Sequence, residues 1–408
     1  MRYSELSDAE RVVVTGMGAM TPCGGGVSPL VEAVCAGRSA LRTVGLDDGR
    51  HVGGGPVEPA LLAGFGDVDT ATALALAAAG QAVGPLPGEV RRRLGVFVAT
   101  GKPGMHLLER VHRAFVEHGP GCIPADFIRH VLPTAPADAI AERFGCGGVR
   151  MAPIGACSTG LDSVAIAARH IRAGRISAAL AGSGEASLTP LMVAGFERMG
   201  VLATREPEPS RAIRPFARDR TGFLVGEGAG MVLIESLASA AARGAEVLAE
   251  LVGWAVVGDA HHPTDLAPDG AGIARAIRSA LDMAGVAPGE IAHINAHGTA
   301  TKLNDVVETR AIRAALGEHA DGVKICSTKP VTGHLLSASG SIELVITIGA
   351  IRSGLAPPTI NLDETDPACD LDYTPRRAVP CSIPHALVLN YGFGGRVGAA
   401  VLSRWTGR

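Results

Sequence analysis

The sequence predicts an α/β protein built from two comparable halves, on three observations. Apolar β-branched runs of strand length alternate with Ala-rich stretches of helical period along the chain. Each half opens on a long strand, and each carries a reactive side chain where a strand ends. At 408 residues the chain exceeds one typical domain and has length for a large core.

In order, residues 11–16 read as a buried first strand, and 71–82 and 136–144 as helices. Residues 151–154 read as a short strand running into a turn at Cys157. Leu161, Val164, Ala165, Ala168 and Ile171 then mark the apolar stripe of a helix over 158–172. Residues 178–182 and 229–235 are further strands. The halves divide into 1–243 and 244–408. The second begins with a long strand at 247–257, then a loop rich in His, Pro, Asp and Gly at 259–272. Helices at 273–284, 305–316 and 341–353 alternate with strands at 291–296, 323–327, 386–390 and 397–404. This is compatible with an internal duplication, although no repeat is clear in the sequence.

Composition removes several classes of function. Only 3% of residues are aromatic, so the core is aliphatic and aromatic stacking on single-stranded nucleic acid is excluded. A net charge of −3 gives no steering toward nucleic acid. No apolar run reaches the roughly 20 residues of a bilayer span, and residues 1–11 lack the apolar core of a signal peptide. The expectation is a soluble, cytoplasmic protein. Eight cysteines are scattered without a Cys-x-x-Cys pair or zinc-ligand spacing, so no metal site is expected.

Three motifs carry chemistry. Cys157 lies in Gly155-Ala156-Cys157-Ser158-Thr159-Gly160, a predicted strand-to-helix turn with small neighbours. A thiol at a helix N-terminus feels the positive end of the dipole, which favours thiolate and a role in acyl transfer. His297 ends a strand and opens onto Gly298-Thr299-Ala300-Thr301, and His334 lies in Thr332-Gly333-His334. Singly, each motif is equally a packed cysteine or a satisfied core histidine. Together they supply a nucleophile and two imidazoles, the equipment for carbon–carbon bond formation on a thioester. The Gly-rich turn Asn390-Tyr391-Gly392-Phe393-Gly394-Gly395 lacks a Walker lysine. It is a tight hairpin or a source of backbone N–H groups for an oxyanion.

Read as an ordered set, these motifs resemble the β-ketoacyl-acyl carrier protein synthases, most closely the type II elongating and polyketide ketosynthases. Val12-Val13-Val14-Thr15-Gly16, Gly184-Glu185-Ala186, Arg214-Pro215-Phe216 and Gly222-Phe223-Leu224-Val225-Gly226-Glu227-Gly228 extend the match over nearly the whole chain. The resemblance implies the thiolase fold, two similar α/β halves layered αβαβα, usually homodimeric. It implies decarboxylative Claisen condensation of malonyl carrier protein with an acyl group on Cys157, in fatty acid or polyketide biosynthesis, without metal or organic cofactor. His297 and His334 would stabilise the enolate oxygen. The backbone N–H groups of Cys157 and Phe393 would hold the acyl oxygen, with Gly394 in the same gate turn. Thr299 and Thr301 would bind the pantetheine arm, and 259–272 would form a second gate. Lys329 and Glu343 match a pair near the site, as an ion pair organising the His334 loop or with Lys329 in a direct catalytic role. Asp305 and Glu308 match positions read as structural. Acyl carrier protein is the implied partner, docking on Arg214 with Arg129 in support. The alternatives are a heterodimer with a chain-length partner, or a non-condensing partner subunit. Intact Cys157 speaks against the latter.

The chain departs from the family pattern at four places. Gly101-Lys102-Pro103-Gly104 replaces a Gly- and Ser-rich segment leading to the acyl tunnel. Ser337 and Ser339 interrupt a stretch usually built from Gly and Ala. Arg396 and Val397 stand where Thr and Asn are common, and 64–70 lacks basic docking residues. These differences point to a specialised synthase.

Overall fold

The computed structural model describes residues 3–66 and 68–407. Residues 1 and 2 of the polar N-terminus and residue 67 of the 64–70 segment lie outside the described residues. Ten strands define the architecture: β1 (Val12–Thr21), β2 (Gly95–Ala99), β3 (Arg150–Met151), β4 (Ala178–Glu185) and β5 (Gly228–Ser236) in the first half. The second half has β6 (Ala249–Gly258), β7 (Ile291–Asn295), β8 (Lys324–Cys326), β9 (His385–Gly392) and β10 (Arg396–Ser403). The order in one half is β3-β2-β4-β5-β1, and in the other β8-β7-β9-β10-β6. Strand for strand the directions agree, two parallel pairings followed by two antiparallel ones. The halves join where β1 meets β6, at Val13 opposite Glu250 and Val14 opposite Ala249. The duplication is therefore present in the topology.

Side chains on β2, β4, β9 and β10 alternate between two apolar layers, because successive residues point to opposite faces of a sheet buried on both sides. Val96 and Val98 join an outer core with α1 (Thr70–Val83) and α3 (Ala135–Phe144), while Phe97 turns to the centre. Leu387 and Leu389 join the other outer core with α6 (Ala271–Ala284) and α7 (Lys302–Leu316), while Val388 turns to the centre. Between the sheet sections lie α4 (Thr159–Arg172) and α8 (Ser339–Ser353), which pack on each other. This is the layered αβαβα arrangement. Ile342, Leu344, Val345, Ile346, Ile348 and Ile351 point in every direction around α8 and are all buried. A helix without a polar face has no place except the middle. Each such side chain contributes about 1.5–3 kcal/mol.

Both central helices are entered through a single 3₁₀ turn, Ala156–Ser158 and Leu336–Ala338. Ala156 and Leu336 hold the same left-handed conformation there, φ 51 and 47. The helices then cross at glycines. A Cβ on Gly160 would lie 2.4 Å from the Ser341 backbone nitrogen, and one on Gly340 would lie 2.9 Å from that of Leu161.

Several elements differ from the sequence expectation. The strand expected at 151–154 is only Arg150–Met151, and the chain then runs irregularly to the Cys157 turn. Strand β2 was not anticipated, nor were α2 (Met105–His118) and α5 (Pro190–Met199). Helix α2 carries an apolar stripe at helical spacing, Leu108, Val111 and Phe115, of which only Val111 is buried. Among the described residues, no helix is long and apolar enough to cross a membrane.

The crossing makes a prediction about stability. Gly160→Ala must push backbone against backbone, at a cost of roughly 1–3 kcal/mol. A lowered denaturation midpoint is expected, and an unchanged midpoint would contradict the close approach.

Candidate active site

The Cys157 turn is held by its neighbours. The Gly155 N–H donates to Thr159 Oγ1 at 3.0 Å, Thr159 Oγ1 donates to the Ala156 carbonyl at 2.7 Å, and Ser158 Oγ donates to Asp162 Oδ1 at 3.0 Å. The end of β9 presses on this turn. A Cβ on Gly392 would sit 2.2 Å from the Gly155 carbonyl oxygen and 3.1 Å from the Cys157 nitrogen, so no side chain fits. That approach sets Phe393 beside Cys157. Among the described residues neither backbone N–H has a protein acceptor, so both are free to meet an oxyanion.

Cys157 is 9% exposed. Burial pushes its thiol up to about 11, against the pull of Lys102 and Lys329. This corrects the thiolate expectation: desolvation outweighs the favourable helix end and nearby cations, so Cys157 rests as a thiol.

The two histidines are neutral donors. Burial and the Lys329 charge drive both well below the ordinary imidazole range. His334 Nδ1 accepts from the Leu336 N–H at 3.3 Å and lies 3.0 Å from Ser339 Oγ. Lys329 Nζ, which can only donate, is 3.4 Å from His297 Nδ1. With each Nδ1 accepting, each ring proton sits on Nε2. The rings meet edge to face, 5.3 Å between centroids. Phe223 packs on His334 and Tyr391 on His297.

Behind them is a buried charged frame. Lys329 Nζ donates to Glu343 Oε1 at 2.5 Å and to the His297 carbonyl, while Asn390 Nδ2 donates to Glu343 Oε2. Burial raises the Glu343 carboxyl to about 7, with Lys329 opposing. Glu308 accepts from the N–H groups of His297 at 2.7 Å and Gly298 at 2.8 Å, and from Tyr391 Oη at 3.0 Å. Asp305 accepts from the Phe216 N–H at 2.7 Å, with Arg220 3.6 Å away.

Cys157, His297, His334, Thr299, Thr301 and Phe393 all line one cavity of about 550 Å³. Met192, Phe196, Met199, Val201 and Leu303 make most of its remaining wall apolar, with Lys102, Thr264, Asp265 and Asn304 as the polar members. Thr299 and Thr301 hydroxyls lie 3.0 Å apart. The two expected gates touch: Gly394 N–H donates to the Pro263 carbonyl at 2.7 Å, and Asp259 N–H to the Gly395 carbonyl at 2.9 Å. Arg214 and Arg129 line no part of this cavity. Arg214 pairs with Glu206 and Asp219, and Arg129 with Glu142.

The sequence reading missed Ser339, Tyr391 and Phe223 as supports of the imidazoles. In the sequence Ser339 stands out only as a departure from the family pattern, and nothing in its spacing from His334 signals an Nδ1 contact. Tyr391 adjoins the Gly-rich turn, which was its one available signal.

The thiol's state sets its reactivity. In the free enzyme, alkylation of Cys157 by iodoacetamide is expected to be slow at pH 7 and to rise about tenfold per pH unit toward pH 10, as the thiolate fraction does. Intact-protein mass follows it, and a plateau below pH 8 would show a depressed pKa instead.

Residues 65–240 match the beta-ketoacyl synthase N-terminal domain and 248–363 the beta-ketoacyl synthase C-terminal domain. A 3-oxoacyl-[acyl-carrier-protein] synthase 2 of Synechocystis is 38% identical over 95% of this chain and 96% of its own length. That of Coxiella burnetii is 36% identical over 97% and 99%. Among solved structures, a type II polyketide ketosynthase in complex with its acyl-carrier protein, bound to the hexaketide, superposes with a TM-score of 0.90. It is 34% identical over 98% of this chain and 100% of that one. The ishigamide ketosynthase/chain length factor gives 0.89 at 33%, over 98% and 100%. With its thiolase fold and a single cavity shared by the cysteine and both histidines, the chain belongs to the beta-ketoacyl synthase family.

Proposed function

We propose that the protein is a β-ketoacyl-acyl carrier protein synthase that condenses malonyl carrier protein with an acyl group held on Cys157. The observation that carries this is the convergence of one thiol and two Nε2–H imidazoles on a mostly apolar cavity. In the first half-reaction Cys157 Sγ attacks the thioester carbon of the incoming acyl group. The oxyanion lies between the Cys157 and Phe393 N–H groups, and the pantetheine sulfur leaves with the thiol's proton. In the second, the bond between the malonyl α-carbon and its carboxylate breaks, CO₂ departs, and the electron pair forms an enolate. Neutral His297 and His334 donate from Nε2 to its oxygen, each such donor worth roughly 3 kcal/mol. The α-carbon then attacks the Cys157 acyl carbon and Cys157 sulfur leaves. Decarboxylation itself supplies the carbanion, so the chemistry calls for no metal or organic cofactor.

The neutral state of the imidazoles matters. A charged imidazolium beside the malonyl carboxylate would stabilise the ground state and oppose CO₂ loss. Lys329 serves to position His297 and exclude its second protonation. Thr299 and Thr301 stand where the pantetheine arm enters, and Phe393 with Gly394 forms the gate at Cys157. Acyl carrier protein is the proposed macromolecular partner. Arg214 and Arg129 are its proposed docking cations, with acidic carrier residues replacing Glu206, Asp219 and Glu142 as their partners.

A homodimer fits the surface. The sheet ends at the short strand β3, where Val149 and Met151 stand exposed. An open strand edge flanked by such side chains is self-complementary across a two-fold axis. The reading also takes 1–243 and 244–408 as the two units. It places the protein in the cytoplasm, consistent with eight cysteines that are all free.

Two variants separate the half-reactions. Cys157→Ala is expected to abolish the acyl-enzyme adduct in intact-protein mass while preserving the fold, and a persisting adduct would assign the nucleophile elsewhere. His297→Ala is expected to slow malonyl decarboxylation by about 10²–10³-fold and self-acylation much less. The reverse pattern would remove His297 from the enolate site.

A further inference from the structure

Two of the departures in sequence, Lys102 and Ser337, meet at one buried carboxylate. Glu185 ends β4 and is wholly buried. Its Oε2 accepts from Ser337 Oγ at 2.6 Å, from the Ser337 N–H at 3.3 Å and from Lys102 Nζ at 3.3 Å. Its Oε1 accepts from Ser187 Oγ at 2.5 Å. Ser337 is itself locked, its carbonyl accepting from Ser183 Oγ at 2.7 Å. Glu185 is thus a rigid anchor, and what it anchors is an ammonium.

That ammonium belongs to the substrate cavity. Lys102 lines the same space as Cys157, His334, Phe196 and Met199, and is the one Lys or Arg among the described residues that do. Its side chain is 26% exposed, while Glu185 is at 0%. A lysine carries three N–H donors, and Glu185 uses one. Among the described residues no second protein acceptor serves the others. A plain alkyl tail packed there would bury these donors without partners, a penalty that an oxygen acceptor on the acyl chain removes.

We propose that Lys102 is a specificity residue, which selects acyl groups bearing an oxygen acceptor along the chain over saturated alkyl groups. This rests on the reading of the cavity as the acyl site of a ketosynthase. The shared chemistry is an oxygen that accepts a charge-assisted hydrogen bond from the Lys102 ammonium, whether a 3-oxo or 3-hydroxy group or a distal carboxylate. Glu185, held by Ser337 and Ser187, fixes where that donor stands. A structural counter-ion for Glu185 would explain the ion pair alone. It does not explain why the cation is placed on the wall of a cavity that is otherwise mostly apolar.

The test is a competition. Purified full-length protein is incubated with equimolar hexanoyl-, 3-hydroxyhexanoyl-, 3-oxohexanoyl- and adipoyl-pantetheine, and the Cys157 adducts are resolved by intact-protein mass. At least one oxygen-bearing donor is expected to exceed hexanoyl by about tenfold, the scale of one charge-assisted hydrogen bond. Preference for the 3-oxygen donors locates the acceptor near the thioester, and preference for adipoyl locates it at the distal end. Lys102→Met should bring the ratio close to one and Lys102→Arg should keep it, a change in ratio that a purely structural role would not produce. Hexanoyl equalling or exceeding every oxygenated donor in the unmodified enzyme overturns the proposal, whatever the variants do. An unchanged ratio in a folded Lys102→Met protein overturns it as well. Absence of any adduct overturns the ketosynthase reading together with this one.

Discussion

One buried ammonium holds the site together. Lys329 reaches Glu343 on the central helix, and both the carbonyl and Nδ1 of His297 at the end of β7. Through Glu343 it reaches Asn390, two residues before the glycine that presses on the Cys157 turn. Three segments distant in sequence are thereby fixed to one point. A buried ion pair adds little net stability against an apolar alternative, yet removing one partner leaves a bare charge and costs about 3–5 kcal/mol. The arrangement is retained for position more than for stability.

The same burial explains the protonation states on both sides of the cavity. Low dielectric disfavours every charged form, so it raises the Cys157 thiol and lowers both imidazoles. Lys329 reinforces the neutral imidazoles and only partly counteracts the rise at the thiol. The resting site therefore holds two neutral imidazoles and a protonated Cys157 thiol. Negative charge appears only when substrate brings it, at oxygens for which N–H groups already wait.

Around this shared machinery the chain has altered its own cavity wall. Ser339 supports His334, so that departure serves the common chemistry. Ser337 and Lys102 instead converge on Glu185 and place a cation on the wall of the cavity that Cys157 lines. Two of the differences, Lys102 and Ser337, thus share one acceptor, Glu185, while Ser339 sits on His334.

The sequence by itself determined the alternation of strands and helices, the α/β class with two halves and the three reactive motifs. These follow from local period, local turn chemistry and residue type, all of which are written consecutively. Strand β2, five residues long, is too short to show a period. The duplication was illegible because it is one of shape: Cys157 corresponds to Ser337 in the second half, and only the left-handed turn before it and the glycine after it repeat. What the tertiary structure alone decided is electrostatic. The elevated thiol, the Nε2 tautomers, and the meeting of Lys102 with Glu185 and Ser337 depend on burial and on contacts between remote segments. Neither can be read from a residue's neighbours in the chain.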